Sequence, residues 1–430
     1  MRKEAPSTFW AQTATTDFAG APLSEDLDCD VAIVGGGFTG LRAALVLAEA
    51  GSRVALLEAG TVGYGASGRN GGQVNPLLPV GRPEDLRRAV GKVYFERLAE
   101  VSLNSADALF TLVRDYQIDC QARQQGWLRV DHCAKARKTA RAAAEAWRGY
   151  GLEVEFLERS DVIRLSGSKA YESGTLIPKG GAVQPLSLVR GLARAAKQAG
   201  AKIYEEAAVE SLSREGASWL LRTRGGRVRA DWVILATNGY TGDLWPGLEQ
   251  SVIPISPVQI ASDPLSPDVL AEILPQGHTI ADTRRCIMYA RREPGGQMVF
   301  GGLGQRTLHG RISGFGRLLR DAVRVFPQLR EVTWTHRWGG RIAVTADRVP
   351  HFHEPEPGLI AGLGYNGRGV ALSLEMGRVL AERALGSPAE ALPFPKTEIA
   401  AQPFQSVQAR GAAVALAWMR FRDRLEASRP

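Results

Sequence analysis

Residues 30–34 read DVAIV, a short apolar run that ends on the glycines of GGGFTG at 35–40. The helical pattern GLRAALVLAEAG follows as far as Gly51, and a second apolar run, RVALLE, closes the stretch at Glu58. Strand, glycine turn, helix and strand in that order make a βαβ unit, so this part of the chain belongs to a parallel sheet crossed by a helix. Within it Gly35, Gly37 and Gly40 stand in G-x-G-x-x-G spacing. Gly35 permits the tight turn, Gly37 lets a pyrophosphate approach the backbone, and Gly40 lets helix and strand pack closely. The helix begins at Phe38 and Thr39, where unpaired N–H groups and the positive end of the dipole face the phosphates. Glu58, with Ala59 beside it, ends the second strand in position to accept hydrogen bonds from ribose hydroxyls. The unit predicts a dinucleotide site.

The next segment selects among dinucleotides. An NAD-binding domain moves directly to its next helix, whereas here the chain continues AGTVGYGASGRNGGQV from Ala59 to Val74. Five of the ten residues 63–72 are glycine, too many for a stable helix. A long bare segment returning over the first turn fits a ligand larger than the adenosine half of NAD. Its backbone, with Ser67, Gly68, Asn70, Gly71, Gly72 and Gln73, can pass close to a pyrophosphate and a flavin ring. Arg69 brings a planar fork of donors to phosphate or flavin oxygen. The expected cofactor is FAD; an NAD-linked dehydrogenase is the alternative.

The rest of the chain is read more coarsely. Its 430 residues suggest two domains in one large globule. The 53 Lys and Arg are interspersed with 45 Asp and Glu, a scattered excess that argues for cations at an anionic ligand and against a nucleic-acid partner. Cys29, Cys120, Cys133 and Cys286 are too widely spaced for a zinc site or a disulfide framework, so no metal is expected. No apolar leader and no run of eighteen apolar residues appears, which points to the cytoplasm. Residues 81–149 are helix-like around a strand at 126–133, and a helix from Pro185 to Gln198 precedes a strand at 203–212. Hairpins turn at Gly225–Gly226 and Gly295–Gly296, and a strand, a glycine-rich loop and a helix fill 358–386.

The stretch DVAIV…GASGRNGGQ (30–73) resembles the D-amino-acid-oxidase-like superfamily of FAD-dependent oxidoreductases. STFW before the first strand makes it most similar to the branch of γ-glutamylputrescine and L-pipecolate oxidases. The resemblance runs through WGGRIAVTADRVP (338–350) to GLGYNGRGVALS (362–373). It implies an α/β fold, α+β in part: a Rossmann-type FAD domain of discontinuous segments (28–80, 180–250, 335–395) and a substrate domain with a mostly antiparallel sheet (81–179, 251–334). It places Val209 near the adenine and Ala236, Thr237 and Asn238 beside the cofactor. Gly364, Asn366, Gly367, Gly369 and Val370 then hold the pyrimidine end of the flavin, where a helix N-terminus stabilises charge that grows on reduction. Monomeric sarcosine oxidases attach flavin through a cysteine in this segment; the matching position is Gly340, so FAD is expected to be non-covalent.

The implied reaction is oxidation of an amine C–N bond by hydride transfer to flavin N5, giving an imine. The substrate is γ-glutamylputrescine or a secondary or cyclic amino acid such as L-pipecolate, and the electron acceptor is oxygen or a respiratory quinone. A flavin-binding protein that does not turn over is the alternative from another class. Amino-acid oxidases of the superfamily hold the substrate carboxylate with an arginine in G-x-R-P-x-T-x-D-x-x-P. Here Thr345, Asp347 and Pro350 keep that spacing, but Ile342 occupies the arginine's register and Arg341 stands one residue earlier. Strand alternation leaves open whether Arg341 faces the pocket. Tyr289 and Arg291, two apart in a strand, can share its wall, and Trp338 and Tyr365 are candidate apolar walls over the flavin. Residues 400–430 read as an amphipathic C-terminal helix, with Val414, Trp418, Phe421 and Leu425 at helical spacing. It packs on the protein's own body or makes a peripheral membrane contact.

Overall fold

The computed structural model describes residues 8–306, 311–401, 417–423 and 425–426. Its architecture follows from two sheets of opposite character. In the first, strands Leu359–Leu363, Arg227–Leu235, Leu27–Val34, Val54–Leu57 and Lys202–Tyr204 lie side by side and parallel, with His351–Glu356 antiparallel at one edge. Alternation explains the unbroken apolar run at 31–34. Val31 and Ile33 face helices Phe38–Glu49, Pro185–Gln198 and Gly369–Ala384, while Ala32 and Val34 join a separate core on the other side. Both faces of a parallel sheet are covered, so its strands contain few polar residues. Each fully buried Ile or Leu contributes roughly 1.5–3 kcal/mol by leaving water. The hairpin expected at Gly225–Gly226 joins Ser218–Arg222 to Arg227–Leu235.

The second sheet runs Trp334–Gly339, Pro257–Ser262, Met298–Leu303, Met288–Arg292, Thr279–Asp282, Trp127–Asp131, Ser173–Ile177 and Glu155–Glu158. Every neighbouring pair is antiparallel except Thr279–Asp282 with Trp127–Asp131. One of its faces packs on helix Phe315–Val325 through Val258, Phe300 and Leu318, and the other meets the first sheet's loops. Strand Trp334–Gly339 spans the boundary expected at 335 and pairs with Pro257–Ser262 in the second sheet.

The helix of 83–115 is broken at Gly91, whose φ of 77° is a conformation that glycine adopts without strain. The expected strand at 203–212 is shorter, ending at Tyr204, and Glu205 leaves the sheet to accept hydrogen bonds from Gly20 N and Val62 N. Residues 417–423 are helical, and Asp423 fastens them by accepting hydrogen bonds from Arg285 N and Cys286 N. Trp418 and Phe421 are 58% and 51% exposed, so this face does not pack on the protein's own body; Val414 lies outside the described residues. Among the described residues no helix is long and apolar enough to cross a membrane.

Candidate active site

A cavity of about 730 Å³ lies between the two sheets, within the range of small-molecule and cofactor sites. Its first wall is the glycine turn. Gly35 has φ +113°, and a Cβ there would stand 2.9 Å from Ala236 O. A Cβ on Gly40 would come within 2.1 Å of Gly35 O, so only glycine lets the helix start this close to the strand. Gly37 is the helix N-cap, and Ser67 Oγ reaches over from the following loop to accept from Phe38 N at 3.0 Å. Glu58 accepts from Gly36 N at 2.7 Å and Gly60 N at 2.8 Å. Gly35, Gly37, Phe38, Thr39, Glu58, Ala59 and Ser67 all line the cavity.

The glycine-rich loop is held from behind by its carbonyls. Trp10 Nε1 donates to Asn70 O at 2.8 Å, and Trp338 Nε1 and Gln259 Nε2 donate to Arg69 O at 3.0 and 2.6 Å. Arg291 Nη1 donates to Gly72 O and Val183 O, each at 2.7 Å. Gly72 must be glycine, because with φ +62° a Cβ would stand 2.3 Å from that guanidinium. Arg69, Asn70, Gly71 and Gln73 are thereby turned into the cavity. Arg69 stacks on Tyr64, 4.6 Å from the ring centroid, and donates from Nε to Tyr64 O.

The later segments complete this side. Val209, Ala236, Thr237 and Asn238 line the cavity, as do Tyr365, Asn366, Gly367, Gly369 and Val370. Asn238 Oδ1 accepts from Gly364 N at 3.0 Å, and Tyr365 meets Thr39 through their hydroxyls at 2.6 Å, tying the loop before helix Gly369–Ala384 to helix Phe38–Glu49. Asn366 Oδ1 accepts from Thr345 N at 2.9 Å. Gly40, Gly68, Gly72 and Gly364 do not line the cavity, Gly40 being the glycine expected to pack helix against strand. They lie behind the surface, where close backbone packing excludes a side chain: a Cβ on Gly68 would be 2.3 Å from Gly63 O, and one on Gly364 2.4 Å from Thr345 Cγ2.

The facing wall is a single row across the second sheet. Register aligns Trp338, Gln259, Gly301, Tyr289, Ala281 and Arg129. Aligned residues point to one face. Tyr289 lies flat over Gly301, where a Cβ would meet its ring at 2.1 Å, and burial raises its phenol's pKa. Arg291 shares the face of Tyr289 but not the cavity. It is 1% exposed, forms a two-pronged ion pair with Glu293, and lies under the loop. Trp338 packs edge-on against Trp10, behind the loop instead of over the cavity. Arg341 does line the cavity, with Nη2 3.4 Å from Glu249 Oε1.

Sequence reasoning missed four contributors. Trp10 and Gln259 grip the loop; Gln259 was signalled by a polar residue inside the apolar strand PVQIAS, and its Oε1 is buried with no partner. Arg368, at the N-cap of the last helix, and Arg129 gave no sign, because each is one arginine among many.

The fit to FAD rests on this cradle: bare backbone where a Cβ would collide, a helix N-terminus, and a carboxylate at the end of the second strand. Comparisons agree. The family described as FAD dependent oxidoreductase matches residues 30–383. A probable oxidoreductase OrdL of Rhizobium meliloti is 34% identical over 399 residues, 92% of each chain. The γ-glutamylputrescine oxidoreductase of Escherichia coli is 32% identical over 89% of this chain and 90% of its own. The crystal structure of glycine oxidase from Geobacillus kaustophilus superposes with a TM-score of 0.72, at 24% identity over 86% of this chain and 99% of that one. The chain belongs to the family of FAD-dependent oxidoreductases.

Proposed function

We propose that the protein oxidises the C–N bond of an amine or amino acid to an imine. The substrates in view are γ-glutamylputrescine and secondary or cyclic amino acids such as L-pipecolate, with oxygen or a quinone taking the electrons. FAD, when bound, supplies the two-electron acceptor. The observation that carries the reading is the wall facing the cradle. Tyr289, Ile287, Leu303, Ala281 and Gln259 line it, and no carboxylate stands among them. An ammonium ion held against these five side chains would meet no counter-charge among them and would be partly desolvated, which favours the neutral amine whose adjacent C–H bond is broken. The γ-glutamylputrescine oxidoreductase among the relatives supports the same reading.

No cysteine lines the cavity among the described residues, and Gly340 takes the place where a thiol would stand, which supports non-covalent FAD. The exposed Trp418 and Phe421 favour the membrane-surface reading of the C-terminal helix. Retention on lysate membranes at low salt and release at high salt would support it, and a fully soluble enzyme in both would end it. The test of the reaction is anaerobic mixing of the yellow holoenzyme with γ-glutamylputrescine, L-pipecolate, L-proline and an N-methyl amino acid. One of them should bleach the flavin; a flavin that dithionite reduces but none of these amines does would refute the reading.

A further inference from the structure

The arginines that line the cavity differ in what holds them. Arg69 donates to Tyr64 O, Arg285 is paired with Asp423 and Glu426, Arg341 faces Glu249, and Arg348 is exposed. Arg368 is different. Its guanidinium lies 4.4 Å from the ring centroid of Trp127, and among the described residues no carboxylate, carbonyl or hydroxyl pairs with it. Trp127 opens the strand Trp127–Asp131, so Arg129, two residues on, projects from the same face. Arg129 also stands in register with Ala281, the neighbour of Tyr289 in the cavity row. It too has no ion pair among the described residues. Asp131, next on that face, accepts from Ser173 Oγ at 2.8 Å.

Two guanidinium groups are therefore brought together from different units, one from the cap of the last helix and one from the second sheet, beside the substrate wall. Burial pushes Arg368 down to about 9, with the charge of Arg129 adding to the effect, and burial lowers Arg129 as well. Asp131 lies close enough to offset part of the charge of Arg129, but no acid acts on Arg368, and two like charges held together with so little compensation are unfavourable until an anion joins them. A carboxylate satisfies both, because each guanidinium presents a planar fork matched to its two oxygens.

We propose that Arg129 and Arg368, joined across the face of Trp127, form the subsite that takes the carboxylate of the substrate. This rests on the amine-oxidation reading and narrows it to amines that carry a carboxylate, and it assigns the anchor to neither Arg341 nor Arg291.

The test uses the holoenzyme, with propionate and its neutral isostere propionamide as probes, followed by calorimetry and by perturbation of the bound flavin's visible spectrum. Wild-type protein should bind propionate at least tenfold more tightly than propionamide. Arg129→Met and Arg368→Met should each weaken propionate about tenfold, leaving propionamide binding and FAD content unchanged. Arg368→Lys, which keeps the charge without the fork, should lie between and covers the case in which the methionine variant does not fold. With an amino acid that bleaches the flavin, the variants should raise KM for it far more than for its decarboxylated amine. Equal binding of the two probes, or equal losses for acid and amine, would overturn the proposal. The two readings fail separately. If propionate binds through the arginines but no amine bleaches the flavin, the subsite stands and the reaction falls. If amines bleach it while the probes bind alike, the subsite falls and the reaction stands.

Discussion

The two walls of the cavity are built by different means. On the cradle side, recognition is done by backbone: Gly35 and Gly37 leave room, Gly40 sets the helix against the strand, and Trp10, Gln259, Trp338 and Arg291 fix the loop by its carbonyls. On the sheet side the cavity meets side chains of residues 259, 281 and 289, which stand in one row with Arg129 although they are far apart in sequence. A backbone site demands particular residue types over a short contiguous stretch. A side-chain site demands only that distant positions share a register, and it can be altered without disturbing its neighbour. The contrast between two arginines follows the same division. Arg291 is satisfied and structural, whereas Arg368 faces the cavity with only an aromatic ring beneath it.

The comparison breaks first if the cradle tolerates side chains. Gly40→Val should cost ~3 kcal/mol or more, since its Cβ meets backbone that cannot move aside, and the purified protein should lack flavin. Full flavin content with an unchanged denaturation midpoint would contradict this. Arg291→Met leaves Glu293 buried with only Arg123, 3.8 Å away, as a cation, and removes the Nη1 donor to Gly72 O and Val183 O. We expect a loss of about 3 kcal/mol by urea denaturation, with no change in preference among substrates. A changed substrate preference at unchanged stability would return Arg291 to the substrate wall.

A third prediction lies outside both walls and serves as their control. Burial holds His353 down to about 4 against an ordinary 6.5, with Nδ1 bonded to Thr397 O at 2.8 Å and Nε2 without a partner. Below 6.5 the unfolded chain takes up a proton at this imidazole, while the folded protein does so only near 4. Stability is therefore lost as pH falls through that window, by about 2 kcal/mol between roughly pH 7 and pH 5. Urea midpoints of His353→Gln should fall less over that range, and an equal fall would assign the effect elsewhere. The smallest effect belongs to Trp10→Phe, which keeps an aromatic ring in this buried place but gives up part of the indole's packing and its hydrogen bond to Asn70 O. Roughly 1–2 kcal/mol of stability and a measurable part of the FAD affinity should go with it.

The same contrast explains what could be read from the sequence. The βαβ unit, its glycines and Glu58 were legible because the phosphate cradle is local and requires glycine at defined spacing. Both Gly-Gly hairpins were legible for the same reason. The substrate wall was not. Strand alternation correctly put Tyr289 and Arg291 on one face, but only the loop crossing at Gly71 and Gly72 decides that one lines the cavity and the other is covered. Trp338 was expected over the flavin; its indole N–H instead binds the loop. Arg129 and Arg368, 239 positions apart, come together only when the second sheet closes over the last helix, and no local pattern carries that information.

The division between the walls is tested most directly by Tyr289→Ala, with FAD content and the rate of anaerobic flavin bleaching by a substrate amine measured on the same preparation. Tyr289 belongs to the side-chain wall, so FAD should remain at one per chain while bleaching slows about tenfold or more as the substrate loses its floor. A variant that sheds its FAD, but whose remaining bound flavin is reduced at the wild-type rate, would contradict the account.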